Sequence, residues 1–212
     1  MGILSENTIK VRSNRFRSFT RLKKPGGVLT LFLSLILLHG TQGFCQPVYR
    51  EEVVQSAILY SIAQFVDWPD TSFESDNSPL RVCVFGEDLL KKELMKWQKR
   101  SYFNRPIEII VLNDLVGLQN AMQQCQILYI ADNQLDHSKK ILSLTKSLPI
   151  LSVADDDNFF KNGGIVSFVE VGGRVNFCLN LDNAAKNKLQ ISSKLFGLSL
   201  SIIKNGTVME QR

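Results

Sequence analysis

The chain has 212 residues, 44% of them hydrophobic, with 25 Lys and Arg against 20 Asp and Glu for a formal net charge of +5. Seven of those basic residues and one acidic residue fall within residues 1–43, which leaves 18 basic and 19 acidic residues in the remainder. A near-neutral body has no electrostatic footprint for nucleic acid, so a nucleic-acid partner is excluded.

Lys10, Arg12, Arg15, Arg17, Arg21, Lys23 and Lys24 precede an uncharged apolar run of 11 residues, Val28 to Leu38. A basic segment followed by a short apolar one is the pattern of an export signal. A membrane-spanning helix needs about 20 apolar residues, so the competing reading, an uncleaved anchor, fits less well. Thr41 and Gly43 supply small residues before a cut at Phe44, with Gly40 as an alternative. The expected organisation is a signal peptide over 1–43 and a single domain over 44–212, delivered to the periplasm. A body of this size buries roughly 70% of its unfolded surface around one core.

Val53, Val54, Ala57, Ile58, Ser61 and Phe65 recur at helical spacing, and Glu51 and Glu52 occupy a first turn that favours acids. The helix ends within Phe65-Val66-Asp67-Trp68-Pro69, because Pro69 disfavours helical geometry at Trp68. The polar stretch Asp70–Pro79 is a loop. Arg81–Phe85, closed by Gly86, reads as a strand. Leu89, Leu90, Leu94 and Trp97 predict a helix whose wet face carries Lys91, Lys92, Lys96, Lys99 and Arg100 among Glu87, Asp88 and Glu93. A strand over Ile107–Leu112, a helix over Leu115–Met122 and a strand over Ile127–Ile130 follow. Next come a helix around Ile141, Leu142 and Leu144, a strand over Pro149–Val153 and a short helix near Asn158–Lys161.

Ile165–Glu170 and Arg174–Leu179 alternate apolar and polar residues around Gly172-Gly173, which predicts a tight antiparallel hairpin. Asn183–Ile203 is expected to be helical, interrupted near Asn187, with Leu195, Leu198 and Ile202 on the apolar face of a terminal helix. The predicted fold is α/β: a mixed, mainly parallel sheet flanked by helices, with a C-terminal antiparallel hairpin and a terminal helix.

Four cysteines allow three complete pairings, and spacing alone cannot choose among them. Cys83 in the first strand and Cys125 before the third would be neighbours in a doubly wound sheet, which favours that pair over two buried thiols. Cys178 falls out of phase with Val175, Phe177 and Leu179, on the polar side of its strand, and is left free. Cys45 lies near the signal, but Phe44 stands where a lipobox needs a small residue.

The sequence carries little recognisable catalytic chemistry. His137 beside Asp132 and Asp136 is a solvated helix start more readily than a metal site. There is no zinc spacing, no Cys-x-x-Cys pair, no Gly-x-Ser-x-Gly elbow and no Walker loop. Asp155-Asp156-Asp157 reads as an acidic capping turn, since Phe159 and Phe160 interrupt any calcium-loop spacing. No cofactor, no metal and no catalytic residue is expected.

One ordered set of segments carries a family resemblance: Phe65-Val66-Asp67-Trp68-Pro69, Arg81 to Gly86, Gly163-Gly164-Ile165-Val166-Ser167-Phe168, Gly173-Arg174-Val175-Asn176-Phe177, Asn180-Leu181-Asp182-Asn183-Ala184-Ala185 and Leu189-Gln190-Ile191-Ser192-Ser193-Lys194-Leu195. Over roughly residues 49–205 the chain resembles the YfiR/HmsC family. The resemblance implies a non-enzymatic periplasmic regulator that represses an inner-membrane diguanylate cyclase by contacting its periplasmic segment, in cyclic di-GMP signalling and biofilm control, and that forms a homodimer. It also implies a disulfide between Cys83 and Cys125. A second pair found in relatives is missing, since Cys178 stands alone there, and Asn187 replaces a glycine common in the family.

Four residues are candidates for binding a partner or ligand. Phe65 and Trp68 offer an aromatic anchor, with a plug for the helix end as the alternative. Arg174 and Lys194 are charged residues within apolar segments, with a cross-hairpin pair to Glu170 and a snorkelling role as the alternatives. A second functional class, a small-molecule sensor binding at the carboxyl ends of the parallel strands, stays open.

Overall fold

The computed structural model describes residues 50–211. The expected signal segment, its cleavage site and Cys45 lie outside the described residues.

Helix α1 (Glu51–Ala63) is apolar around much of its circumference: Leu59, Ile62 and Ala63 are buried, and Val53, Val54 and Ile58 are partly exposed. It ends before strand β1 (Val66–Asp67), which pairs with β9 (Gln190–Ile191) to form a two-stranded ribbon. The other strands are β2 (Leu80–Phe85), β3 (Ser101–Tyr102), β4 (Arg105–Leu112), β5 (Ile127–Ile130), β6 (Leu151–Ala154), β7 (Val166–Val171), β8 (Arg174–Asn180), β10 (Ser201–Lys204) and β11 (Thr207–Glu210). They form one sheet in the order β11-β10-β8-β7-β6-β5-β2-β4-β3. The pairs from β4 through β2, β5 and β6 to β7 are parallel. Helices α2 (Leu89–Leu94), α3 (Leu115–Ala121), α4 (Ser138–Thr145) and α5 (Leu181–Lys186) complete the layers.

Alternation along the central strands feeds two cores, because successive side chains point to opposite faces. Val82, Val84, Ile127, Tyr129, Leu151 and Val153 face α1, α2 and α5. Cys83, Phe85, Leu128, Ile130 and Ala154 face α3 and α4. The mixed α/β architecture and the hairpin of β7 and β8 are therefore as predicted, with Gly172 at φ 61° and Gly173 at φ 72° making the turn.

The C-terminal region departs from expectation. Among the described residues there is no terminal helix. A 3-10 segment over Ser193–Leu198 is followed by β10 and β11, which form an antiparallel hairpin around Asn205 and Gly206. Leu195 and Ile202 are buried, as a helix would also have required, so apolar spacing alone could not separate the two conformations. Lys188, at φ 61°, takes the left-handed conformation expected of Asn187. Asn187 instead accepts from the Ser147 amide at 3.1 Å and donates to the Ile150 carbonyl at 3.3 Å. The stretch Asn158–Lys161 is turn rather than helix, held by the Phe160 amide donating to Ser167 Oγ at 2.7 Å.

Candidate functional site

Two concave surfaces flank α1. The first is an apolar groove of about 530 Å³ between the outer face of α1 and the 3-10 segment, lined by Val53, Val54, Ala57, Ile58, Phe65, Phe177, Leu195 and Leu198 among others. Leu198 is 67% exposed on its wall. A surface helix normally turns its apolar stripe inward and a polar face outward. In α1 the outward face stays apolar, so it is built to be covered.

The second is a polar crevice of about 360 Å³ at the carboxyl ends of β2, β5 and β6. From β2 the chain crosses to β4 on one side and returns to β5 on the other, so this crevice is the topological switch point at which doubly wound sheets bind ligands. Six carboxylates line it: Glu51, Glu52, Glu87, Asp88, Asp132 and Asp155. Gln55 Nε2 donates to Asp155 Oδ2 at 2.7 Å and to Glu51 Oε1 at 3.1 Å, and the Tyr129 hydroxyl donates to Asp88. Desolvation first, and neighbouring carboxylates second, raise the pKa of Glu51, Asp132 and Asp155 above the ordinary carboxylate range; the Gln55 hydrogen bond partly offsets this at Asp155. Burial and Asp88 push the Tyr129 hydroxyl up as well. A crevice of this sign attracts cations and repels phosphate groups. Among the described residues, no group of three or more His, Cys, Asp or Glu is arranged to hold a metal ion.

The residues singled out in the sequence are distributed unevenly. Phe65 lines the groove, and exposed Lys194 directly precedes Leu195 on its wall. Trp68 is elsewhere: its indole donates to the Gln126 carbonyl at 3.2 Å and packs edge-on to Tyr102, with ring centroids 5.9 Å apart. Arg174 is exposed on β8, out of phase with Phe177, and opposes Val171 in the register, while Glu170 opposes Val175. The cross-hairpin pair of Arg174 with Glu170 does not form. Cys83 and Cys125 are joined by a disulfide, with Cα atoms 5.8 Å apart. Cys178 is free, but it is buried beside Phe160 and Val169 rather than on a polar face. Burial raises its thiol pKa. His137 is exposed at the end of a 3-10 segment leading into α4.

The family model described as YfiR/HmsC-like matches residues 52–200, a span that includes nearly all of α1, strands β1 to β9 and both groove walls. The chain belongs to the YfiR/HmsC-like family. Membership is consistent with the periplasmic regulatory class expected above. No curated protein matches the sequence. Among solved structures, a conserved domain protein from Vibrio cholerae O1 biovar El Tor is similar, with 10% sequence identity and a TM-score of 0.49 over 74% of this chain. This YfiR/HmsC-like chain spans 60% of that structure's length.

The sequence pointed toward Phe65 and toward the carboxyl ends of the parallel strands, but not toward the six carboxylates gathered there. These lie between residues 51 and 155, and only the crossover topology gathers them. Asp132 and Asp155 each stand one or two residues beyond a strand end, which is the one signal that would have marked them.

Proposed function

We propose that the protein is an exported, non-enzymatic regulator that restrains an inner-membrane diguanylate cyclase by seating an apolar helix of the cyclase's periplasmic segment in the groove between α1 and Ser193–Leu198. The observation that carries this reading is the apolar face of α1 that the described residues leave uncovered, continued by exposed Leu198. An inhibitor of this kind needs no reactive group: it acts by binding one state of its partner more tightly than the other. Grooves of this shape take amphipathic helices through side chains spaced three and four residues apart. Family membership supports the periplasmic and regulatory part of the reading, and the basic and apolar pattern of residues 10–38 supports export through a cleaved signal.

The homodimer belongs to the same proposal, through a surface that leaves the groove open to the cyclase. The test combines gene deletion with complementation. Deletion raises cellular cyclic di-GMP, and the wild-type gene lowers it again. A Leu198→Asp gene does not, although its product accumulates normally. Unchanged cyclic di-GMP on deletion would overturn the reading.

A second reading rests on the acidic crevice at the switch point: a sensor for a small cationic ligand. A rise in thermal midpoint with amines or polyamines, lost in Asp155→Asn, supports it. No shift with any such compound rejects it.

A further inference from the structure

The basic stretch between residues 92 and 105 has no role in either site above. Lys92, Lys96 and Lys99 lie at spacings of four and three residues along α2 and the 3-10 segment Met95–Lys99, and all three are exposed. Leu90, Leu94 and Trp97 face inward, so the lysines share the outer side. Met95 lies between them, 36% exposed. Glu93, the acidic residue of this stretch, is buried and bonded to Arg50 and Lys96. Among the described residues, Lys92 and Lys99 have no carboxylate partner.

Arg100 follows, with its guanidinium 5.0 Å above the Tyr60 ring, and the chain then enters the β3–β4 hairpin. The turn is Phe103-Asn104, at φ 42° and φ 67°. Such a turn favours Asn and Gly, and a bulky aromatic residue there is held in a strained conformation. Phe103 is nevertheless 70% exposed. Its ring stacks edge-on against Tyr102 at 4.7 Å, and Tyr102 packs on Trp68, so the tip is braced from the core.

We propose that the face carrying Lys92, Lys96, Lys99, Arg100 and Phe103 docks the protein on an anionic lipid surface, with Phe103 entering the headgroup layer. Charge complementarity selects this occupant: Lys92, Lys99 and Arg100 have no carboxylate partner among the described residues and Glu93 is buried beneath Lys96, so the face carries a net positive charge although the body of the protein is near neutral. Basic side chains around a projecting aromatic residue are the composition that binds at lipid interfaces, where lysine stems snorkel and the ring partitions below the headgroups. A lipid surface also requires no shaped pocket, which fits a single protruding ring. The proposal does not depend on the cyclase reading; it would hold the regulator at the membrane whichever protein it controls.

The test is co-sedimentation of the purified protein with vesicles of phosphatidylglycerol and phosphatidylethanolamine, compared with vesicles of phosphatidylcholine alone. Binding is expected only to the anionic vesicles, and raised salt should abolish it. The triple variant Lys92→Gln, Lys96→Gln, Lys99→Gln should weaken binding at least about tenfold. Phe103→Asn should weaken it too while holding or raising the thermal midpoint, because Asn tolerates the left-handed turn. That combination separates docking from a structural role. Absence of binding to anionic vesicles at low salt, equal binding to phosphatidylcholine, or variants that bind like wild type would each overturn the proposal. So would a complex with an acidic protein that needs the lysines when vesicle binding is absent. Failure here leaves the cyclic di-GMP response to gene deletion unaffected, so the two readings fall separately.

Discussion

The amide of Gln55 and the carboxylate of Asp155, a hundred residues apart, meet at 2.7 Å. Through this bond α1 is fastened to the carboxyl end of β6, and one helix serves both concave surfaces. Its apolar outer side lines the groove, while Glu51, Glu52 and Gln55 at its start line the acidic crevice.

The crevice makes stability depend on pH in a definite direction. Glu51, Asp132 and Asp155 have pKa values raised on folding, so the native state holds their protons more tightly than the unfolded chain. Their stabilising contribution is complete below the ordinary carboxylate values of 4.5 for Glu and 3.8 for Asp, and is lost as pH rises through the raised values. Asp182 has the opposite sign: amides of Gly206 and Asn205 lower its pKa, so its contribution is lost as pH falls. Thermal melts should show the wild type gaining stability from these groups as pH is lowered from neutral toward the ordinary carboxylate range, and Asp132→Asn gaining less.

The disulfide between Cys83 and Cys125 closes a sequence separation of 42 residues, tying β2 to the turn that leads into its parallel neighbour β5. Its removal in the double variant Cys83→Ser, Cys125→Ser should cost about 4 kcal/mol in the chain-entropy account. Urea unfolding measures the loss, and reduction of the wild type should reproduce it.

Gly164 is fixed by proximity rather than by backbone angle. A Cβ there would lie 2.1 Å from ring carbons of Phe159, itself buried against the second core. Gly164→Ala should destabilise the fold by about 1–3 kcal/mol, because a packed ring must move. A shift in urea midpoint without a change in slope would report it.

Much of the fold is legible in the sequence where hydrophobic periodicity is long or punctuated. The strand Ile127–Ile130 and the Gly172-Gly173 hairpin are found where expected. The C-terminal region is not, because Leu195, Leu198 and Ile202 fit helical spacing and give no way to weigh a short 3-10 segment plus strand against it. The Asn205-Gly206 pair was the contrary signal, a strong hairpin turn between apolar residues. Within the site, Phe65 was legible because the helix-ending segment is distinctive, and the carboxyl ends of the strands were legible as a place, whereas the gathering of Glu51, Glu52, Glu87 and Asp88 beside Asp132 and Asp155 depends on crossovers between distant segments.

Trp68 and Leu198 should separate structure from recognition. The Trp68 indole bonds the carbonyl of Gln126, whose side chain accepts from the Arg81 amide at 2.8 Å and donates to the Ser72 carbonyl at 2.6 Å. Trp68→Ala should therefore cost about 3 kcal/mol of stability, since it removes a large packed ring and its partner. Leu198→Asp should leave the thermal midpoint within a degree or two, roughly the range of exposed substitutions.

The groove is tested most directly by a photo-reactive amino acid placed at position 198 in living cells, with the adducts identified by mass spectrometry. The expected product is a crosslink to a membrane protein that carries a diguanylate cyclase domain, diminished by Ala57→Asp on the opposite wall. Crosslinks only to a second copy of this chain, or an unchanged cyclase adduct in the Ala57→Asp background, would contradict the assignment of the groove to the cyclase.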